Sequence, residues 1–324
     1  MVEIVSRPDD FTPVKEGLIF VVESDEESDF EVIIFDAQRE EEVGRKVIYG
    51  TKRAVVDIAP YVANMDVLMM PKKGVSALQT TPLNGYMIVV QTETDAVESD
   101  VVWVSNNLVK VSEGIHSIFP TEECREIAYG DDDDLKIKAP YAGPIAVEVI
   151  ADTGDSYSYN IHSGSGEAVF HLSTKMFDES VERIVVDIYC DDEFLQSIDY
   201  EIVPRYPRST RLMWLSAEGV LEHYTFAVEQ SRKLVAKQKK SFVGTAGQTS
   251  SCSSAVQLKL GTKRCSDRVL EALATIITAP KVWIEQADGY LEAEVLDNEA
   301  VISRFSEVGE LSITIEYGRK EVRL

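Results

Sequence analysis

The first two hundred residues of this chain repeat one pattern: a short run alternating apolar and polar residues, then a charged or turn-forming break. Such runs occur at Leu18–Val22, Phe30–Phe35, Lys46–Tyr49, Ala54–Ile58, Tyr86–Gln91 and Val101–Val104. A second set follows at Leu135–Ile137, Ala146–Ile150, Tyr157–Ile161, Ala168–Leu172, Ile184–Tyr189 and Gln196–Ile202. Successive side chains of a strand point to opposite faces, so each run predicts a strand with one buried face. No long 3.6-residue period interrupts them. Two antiparallel β-sandwiches of immunoglobulin-like type are therefore expected, over residues 1–112 and 113–204.

The grammar changes at Pro204 and Pro207, which with Arg205, Arg208 and Arg211 predict a stiff linker. Strands are expected at Arg211–Leu215 and His223–Val228, joined through a Ser-Ala-Glu-Gly turn. The basic run of Arg232, Lys233, Lys237, Lys239 and Lys240 comes next, and Gly244–Ser254 predicts a mobile loop. Val256–Leu260 alternates as a strand. Ser266 then caps one helix, with Asp267 in its first turn and Val269, Leu270, Leu273, Ile276 and Ile277 as an apolar stripe that Pro280 ends. Further strands are expected at Val282–Glu285, Leu291–Leu296 and Leu311–Tyr317. The expected fold is mainly β, with two sandwiches followed by an α+β domain, 205–324, in which one helix packs on an antiparallel sheet.

Charge limits the partners. The 324 residues carry 56 Asp and Glu against 32 Lys and Arg, a net charge of −24. The acidic excess lies within residues 1–204, and the remainder is near balance. Such a surface repels the phosphate backbone, so no nucleic-acid partner is expected. No apolar run reaches the length of a membrane span, and no signal peptide is visible at the start, so no membrane partner is expected either. Cys124, Cys190, Cys252 and Cys265 lack paired spacing and read as reduced thiols of a cytoplasmic protein.

Motifs for chemistry are sparse. Asp131–Asp134 invites a calcium reading, but it lacks the alternating ligands and turn glycine of a calcium loop and predicts a solvated loop between strands. His116, His162, His171 and His223 have no neighbouring nucleophile; for His171 and His223, packing or hydrogen bonding within strands is expected. Ser163–Gly166 predicts a hairpin loop rather than a nucleophile elbow, and the glycines at 244 and 247 lack the lysine of a phosphate loop. No catalytic residue, cofactor or metal is assigned. Trp214, Tyr224 and Phe226, by their alternation, are the expected core of the last domain. The cations at 232, 233, 237, 239 and 240 form a candidate assembly patch facing acidic surface on other copies.

Arg211–Phe226 reads R-x-x-W-L-x-x-x-G-x-x-x-x-Y-T-F, followed by a basic stretch, a polar loop, one helix and a last strand ending in Glu316-Tyr317. This order resembles the C-terminal regions of virion or tail-like structural proteins of phages and prophages of Bacteroides-type bacteria. Ser216 and the single Gly219 stand where that pattern has an Asn and a double Gly. The resemblance implies a non-enzymatic tail or baseplate component, in a virion or a cytoplasmic assembly, whose partners are its own copies and other structural proteins. The alternative is a glycan- or protein-binding module using Tyr61, Tyr86, Tyr141, Tyr157 and Tyr159.

Overall fold

Strands dominate the computed structural model, which describes residues 1–10, 12, 14–62, 70–80, 84–104, 113–216, 219–243, 246–297, 299, 301–305 and 308–323. The chain divides into two units, Met1–Met70 with Thr80–Ser112, and Pro71–Gln79 with Glu113–Leu324. The expected boundary at 112/113 coincides with a division between units, whereas 204/205 lies inside the second unit.

The first unit holds β1 (Val2–Ser6), β2 (Ile19–Asp36) and β3 (Glu41–Asp57), followed by a short helix, α1 (Ala59–Val62). After β4 (Ala77–Thr80), which joins a sheet of the second unit, come β5 (Asn84–Gln91), β6 (Ala96–Glu98) and β7 (Val102–Val104). β3 runs along one side of β2, while β1 and β5 share its other side at opposite ends. The expected pairs of short strands are thus two long ones. Glu23–Asp29 contains no glycine or proline to end a strand, so the ladder continues through register shifts between Glu23 and Phe30. Phe20, Val22, Phe30, Val32, Ile34, Val56 and Ile88 fill one core.

The second unit begins with a two-layer β-sandwich. Its strands are β8 (Gly114–His116), β9 (Arg125–Ala128), β10 (Asp132–Lys138), β11 (Gly143–Ala151), β12 (Ser156–Ser163), β13 (Glu167–Ser173), β14 (Arg183–Cys190) and β15 (Glu193–Val203). One sheet has the order β4-β13-β10-β8 and the other β12-β11-β14-β15-β9. Leu135, Ile137, Phe170 and Leu172 from the first meet Val147, Val149, Val186 and Ile188 from the second, all fully buried. Ser163–Gly166 is not a hairpin loop, because β12 and β13 lie in different sheets; it carries the chain from one layer to the other. Gly166 is required there: its φ is +68°, and a Cβ would lie 2.8 Å from the Tyr141 carbonyl oxygen.

The remainder is one large antiparallel sheet with a helix on it. Its strands are β16 (Thr210–Leu215), β17 (Leu221–Phe226), β18 (Val228–Val243), β19 (Ala246–Gly261), β20 (Cys265–Ser266), β21 (Val282–Gln286), β22 (Gly289–Val295), β23 (Val301–Phe305) and β24 (Val308–Arg323). The order is β17-β16-β21-β22-β24-β19-β18, with β20 and β23 also on β24. The helix, α2 (Asp267–Ala274), starts where the Ser266 side chain accepts the Val269 N–H, and a 3-10 turn, Thr275–Thr278, ends it before Pro280. Leu270, Leu273 and Ile276 are fully buried against Leu258, Leu260, Leu311, Ile313 and Ile315. Each such side chain contributes roughly 1.5–3 kcal/mol of burial.

Candidate functional site: a buried charged seam and a basic sheet edge

The expectation of a solvated loop at Asp131–Asp134 is overturned: all four aspartates are buried, and Asp132–Asp134 open β10. Strand alternation sends neighbouring carboxylates to opposite faces. Asp133 points the same way as Leu135 and Ile137, into the sandwich, where the Tyr200 hydroxyl donates to it at 2.8 Å and Arg125 Nη1 at 3.0 Å. Asp132 and Asp134 point the other way, onto the face that the large sheet covers. A carboxylate run is tolerated in this strand because each member meets donors brought from elsewhere in the unit.

Those donors come from distant segments. Asp134 takes His171 Nδ1 at 2.8 Å on one oxygen and His223 Nε2 at 2.7 Å on the other. The second nitrogen of His223, Nδ1, lies 2.6 Å from Glu285 Oε1, which also accepts from Arg211 Nε at 3.1 Å. Lys73 Nζ lies 2.8 Å from the other oxygen of Glu285. Arg211 also donates to the Asp132 carbonyl at 2.6 Å and the Thr225 hydroxyl at 3.0 Å. Gly74 N–H donates to the Asp132 carboxylate at 3.1 Å, and Arg205 pairs with Asp131. Two of the arginines expected in the linker, Arg205 and Arg211, and two histidines expected only to pack or hydrogen-bond within strands thus join one seam between the sandwich and the large sheet.

The carboxylates of the seam, with neighbouring Glu222, outnumber its permanent cations, which favours charged imidazoles. Burial opposes the charge on His223, but Glu285 and Asp134 outweigh it and raise its pKa to about 10. His171 is raised to about 9, with Asp132 and Asp134 outweighing the same burial cost. Burial also works against the Asp134 carboxylate, yet the two histidines bring it down to about 2. Glu285 is held well below the usual carboxylate range, since Arg211 and His223 overcome its burial. Glu222 goes the other way: burial lifts it to about 7 against the pull of Arg125, while it accepts the Ile118 N–H at 2.9 Å and the Ser117 hydroxyl at 2.8 Å.

The expected core residues lie in the core of the large sheet: Trp214 and Phe226 are fully buried, and Tyr224 packs against them half-buried. Phe119, from the sandwich side of the unit, stacks on Tyr224 with ring centroids 6.1 Å apart. The candidate assembly patch lies on β18, where Arg232, Lys233 and Lys237 are exposed. The side chains of Lys239 and Lys240, though on β18, fall outside the described residues. The expected loop at Gly244–Ser254 is instead largely strand: β19 starts at Ala246 and pairs with β18 from Val243 back to Val228, with 244–245 outside the described residues. Of the tyrosines considered for ligand stacking, Tyr86 is buried, Tyr61 and Tyr159 pack partly buried on cores, and Tyr141 and Tyr157 are exposed.

β18 ends the large sheet, and among the described residues no strand pairs with its outer side. Its partner ladder loses core beneath it midway: Leu258 and Leu260 on β19 are buried, whereas Leu234 on β18 is 75% exposed. At Leu234 the ladder has left the helix-covered core, and Arg232, Lys233 and Lys237 lie exposed along β18.

No family model matches the chain, and no curated protein does. A chain of the complex of Dpr2 Ig1-Ig2 with DIP-Theta Ig1-Ig3 aligns over 99% of this chain and 90% of its own at 10% identity and a TM-score of 0.24. The chicken interferon gamma receptor alpha chain aligns over 62% of this chain and 98% of its own at 8% identity and a TM-score of 0.19. Native E. coli alpha-2-macroglobulin aligns over 100% of this chain and 34% of its own at 10% identity and a TM-score of 0.21. Similarity at this level leaves the reading to the chain's own geometry.

Proposed function

We propose that this chain is a non-enzymatic structural subunit that associates with its own copies through the C-terminal sheet, as a phage or prophage tail- or baseplate-like component. In this reading, two immunoglobulin-like sandwiches act as spacers and an α+β module, 205–324, makes the assembly contact. The observation that carries it is β18, a long edge strand rich in Arg and Lys with no strand on its outer side among the described residues. An open edge is a template for another chain. Cations along that edge reject a second copy of the same edge and select acidic surface, which residues 1–204 supply in excess. A contact between unlike surfaces is heterologous, and repeating it produces rings or filaments.

The titratable groups support a structural role. Those of the seam are buried and engaged with one another, so they hold two layers together. A cavity of about 240 Å³ reaches the seam, lined in part by His223, Arg125, Arg205, Tyr224, Lys263 and Cys265. Its cations are already matched, Arg125 to Asp133, Arg205 to Asp131 and Lys263 to Glu126. Negative-stain imaging of concentrated protein tests the proposal: rings, tubes or stacked particles are expected, and a uniform field of single particles at every concentration would reject it.

A further inference from the structure

The sandwich of the second unit has an edge of a different kind. β12, Ser-Tyr-Ser-Tyr-Asn-Ile-His-Ser, ends its sheet, and among the described residues nothing pairs with its outer side. It contains no Lys, Arg, Asp, Glu, Gly or Pro, the residues by which edges are usually protected. Its ladder with β11 runs from Ser156 to Ser163 without a register shift, whereas the β18 ladder has two. Ser156, Tyr157, Ser158, Asn160 and His162 are exposed. In a chain of net charge −24, this is a regular edge that carries no carboxylate, ammonium or guanidinium group.

We infer that β12 pairs antiparallel with β12 of a second copy about a two-fold axis at Tyr159, continuing the five-stranded sheet across the dimer. An isologous contact must be self-complementary, and this strand is. With Tyr159 opposite its own copy, Tyr157 faces Ile161 on the core side in both directions. Aromatic pairs with β-branched residues are among the favourable cross-strand pairs. On the outer side Ser158 faces Asn160 and Ser156 faces His162, all able to hydrogen-bond across the axis. Tyr157 is already oriented, its ring edge-on to Phe177 at 5.4 Å and its hydroxyl donating to the Met176 carbonyl at 3.2 Å. The contact is independent of the basic edge, since pairing β18 with itself sets cations against cations.

The test uses the full chain carrying R232E/K233E/K237E, which removes association through β18. Sedimentation velocity of that protein is expected to show a dimer, and adding S158K/N160K, which sets ammonium groups near one another across the axis, is expected to shift the mass twofold to the monomer. A monomer before the second pair of substitutions, at concentrations up to the millimolar range, would overturn the inference. Hydrogen exchange of the unmodified chain provides a readout free of folding effects. The β12 amides that face away from β11 are expected to slow with rising concentration, and exchange at the rate of an open edge throughout would overturn the inference equally. Loss of large assemblies with the β12 dimer intact, or the reverse, separates failure of this contact from failure of the basic edge.

Discussion

His223 and Asp134 meet at 2.7 Å with neither side chain more than 2% exposed, joining a strand of the large sheet to the aspartate run of the sandwich. Because His223 also holds Glu285, one imidazole bridges two buried carboxylates. The second unit is therefore one body across the expected 204/205 boundary, joined by charge as well as by the apolar contact of Phe119 with Trp214 and Tyr224.

Removing the bridge leaves two buried carboxylates with fewer partners. H223A is expected to cost about 3–5 kcal/mol, the range for breaking one side of a buried ion pair. Urea unfolding followed by tryptophan fluorescence measures it, and a loss below about 1 kcal/mol contradicts the seam as described.

The same groups set the pH dependence. His171 and His223 have folded pKa values, about 9 and about 10, above their unfolded value, so their contribution is complete below about pH 6.5 and is lost as pH rises through 9 to 10. Asp134 has a folded pKa of about 2, below its unfolded value, so its contribution is present above about pH 4 and is lost as pH falls toward 2. Glu222 titrates at about 7 in the fold, above its unfolded value, so it adds to the loss as pH rises from about 4.5 to 7. Stability is expected to be greatest near about pH 4–4.5, to fall toward acid as Asp134 protonates, and to decline toward alkali first through Glu222 and then through the two histidines. Melting temperature across pH 3–10 measures this, with H171Q/H223Q expected to flatten the alkaline limb.

Ser266 joins two parts of the unit through one hydroxyl: it accepts the Val269 N–H at the start of α2 and donates to Glu123 at 3.1 Å. S266A is expected to cost about 0.5–2 kcal/mol, the range for losing a helix cap. Denaturant titration reads this, and an unchanged midpoint contradicts the capping assignment.

G166A is expected to be destabilising by at least about 1 kcal/mol, because φ is +68° and the new methyl meets the Tyr141 carbonyl at 2.8 Å. A neighbouring control, G164A, has nothing within 4 Å of its Cβ and is expected to be near neutral. Thermal melts of the two side by side decide it.

The strands and the capped helix are legible in the sequence because alternation and capping are local: Val147, Val149, Val186 and Ile188 alternate, and Ser266 caps α2. The seam is not legible, because its charges are matched only in three dimensions. Asp134 finds His171 in β13, His223 in β17 and, through it, Glu285 in β21, segments that no spacing rule connects. Four consecutive aspartates look like solvent-facing charge unless the donors are known. Arg211, conspicuous in its motif beside Trp214, is the available clue, since an arginine in an otherwise buried strand calls for acidic partners. The start of β19 is hidden for the opposite reason: Gly, Ser and Thr between Gly244 and Ser254 lack an apolar face, and only pairing with β18 and β24 makes the segment a strand. At the basic run, composition locates the exposed cations of β18, while the sheet order shows that they line an open edge.

The most direct test of assembly through β18 is light-scattering mass of the full chain over rising concentration, beside R232E/K233E/K237E. The unmodified chain is expected to grow well beyond a dimer, and the charge-reversed chain to stop at a dimer or below. The same mass for both proteins at every concentration would contradict assembly through this edge.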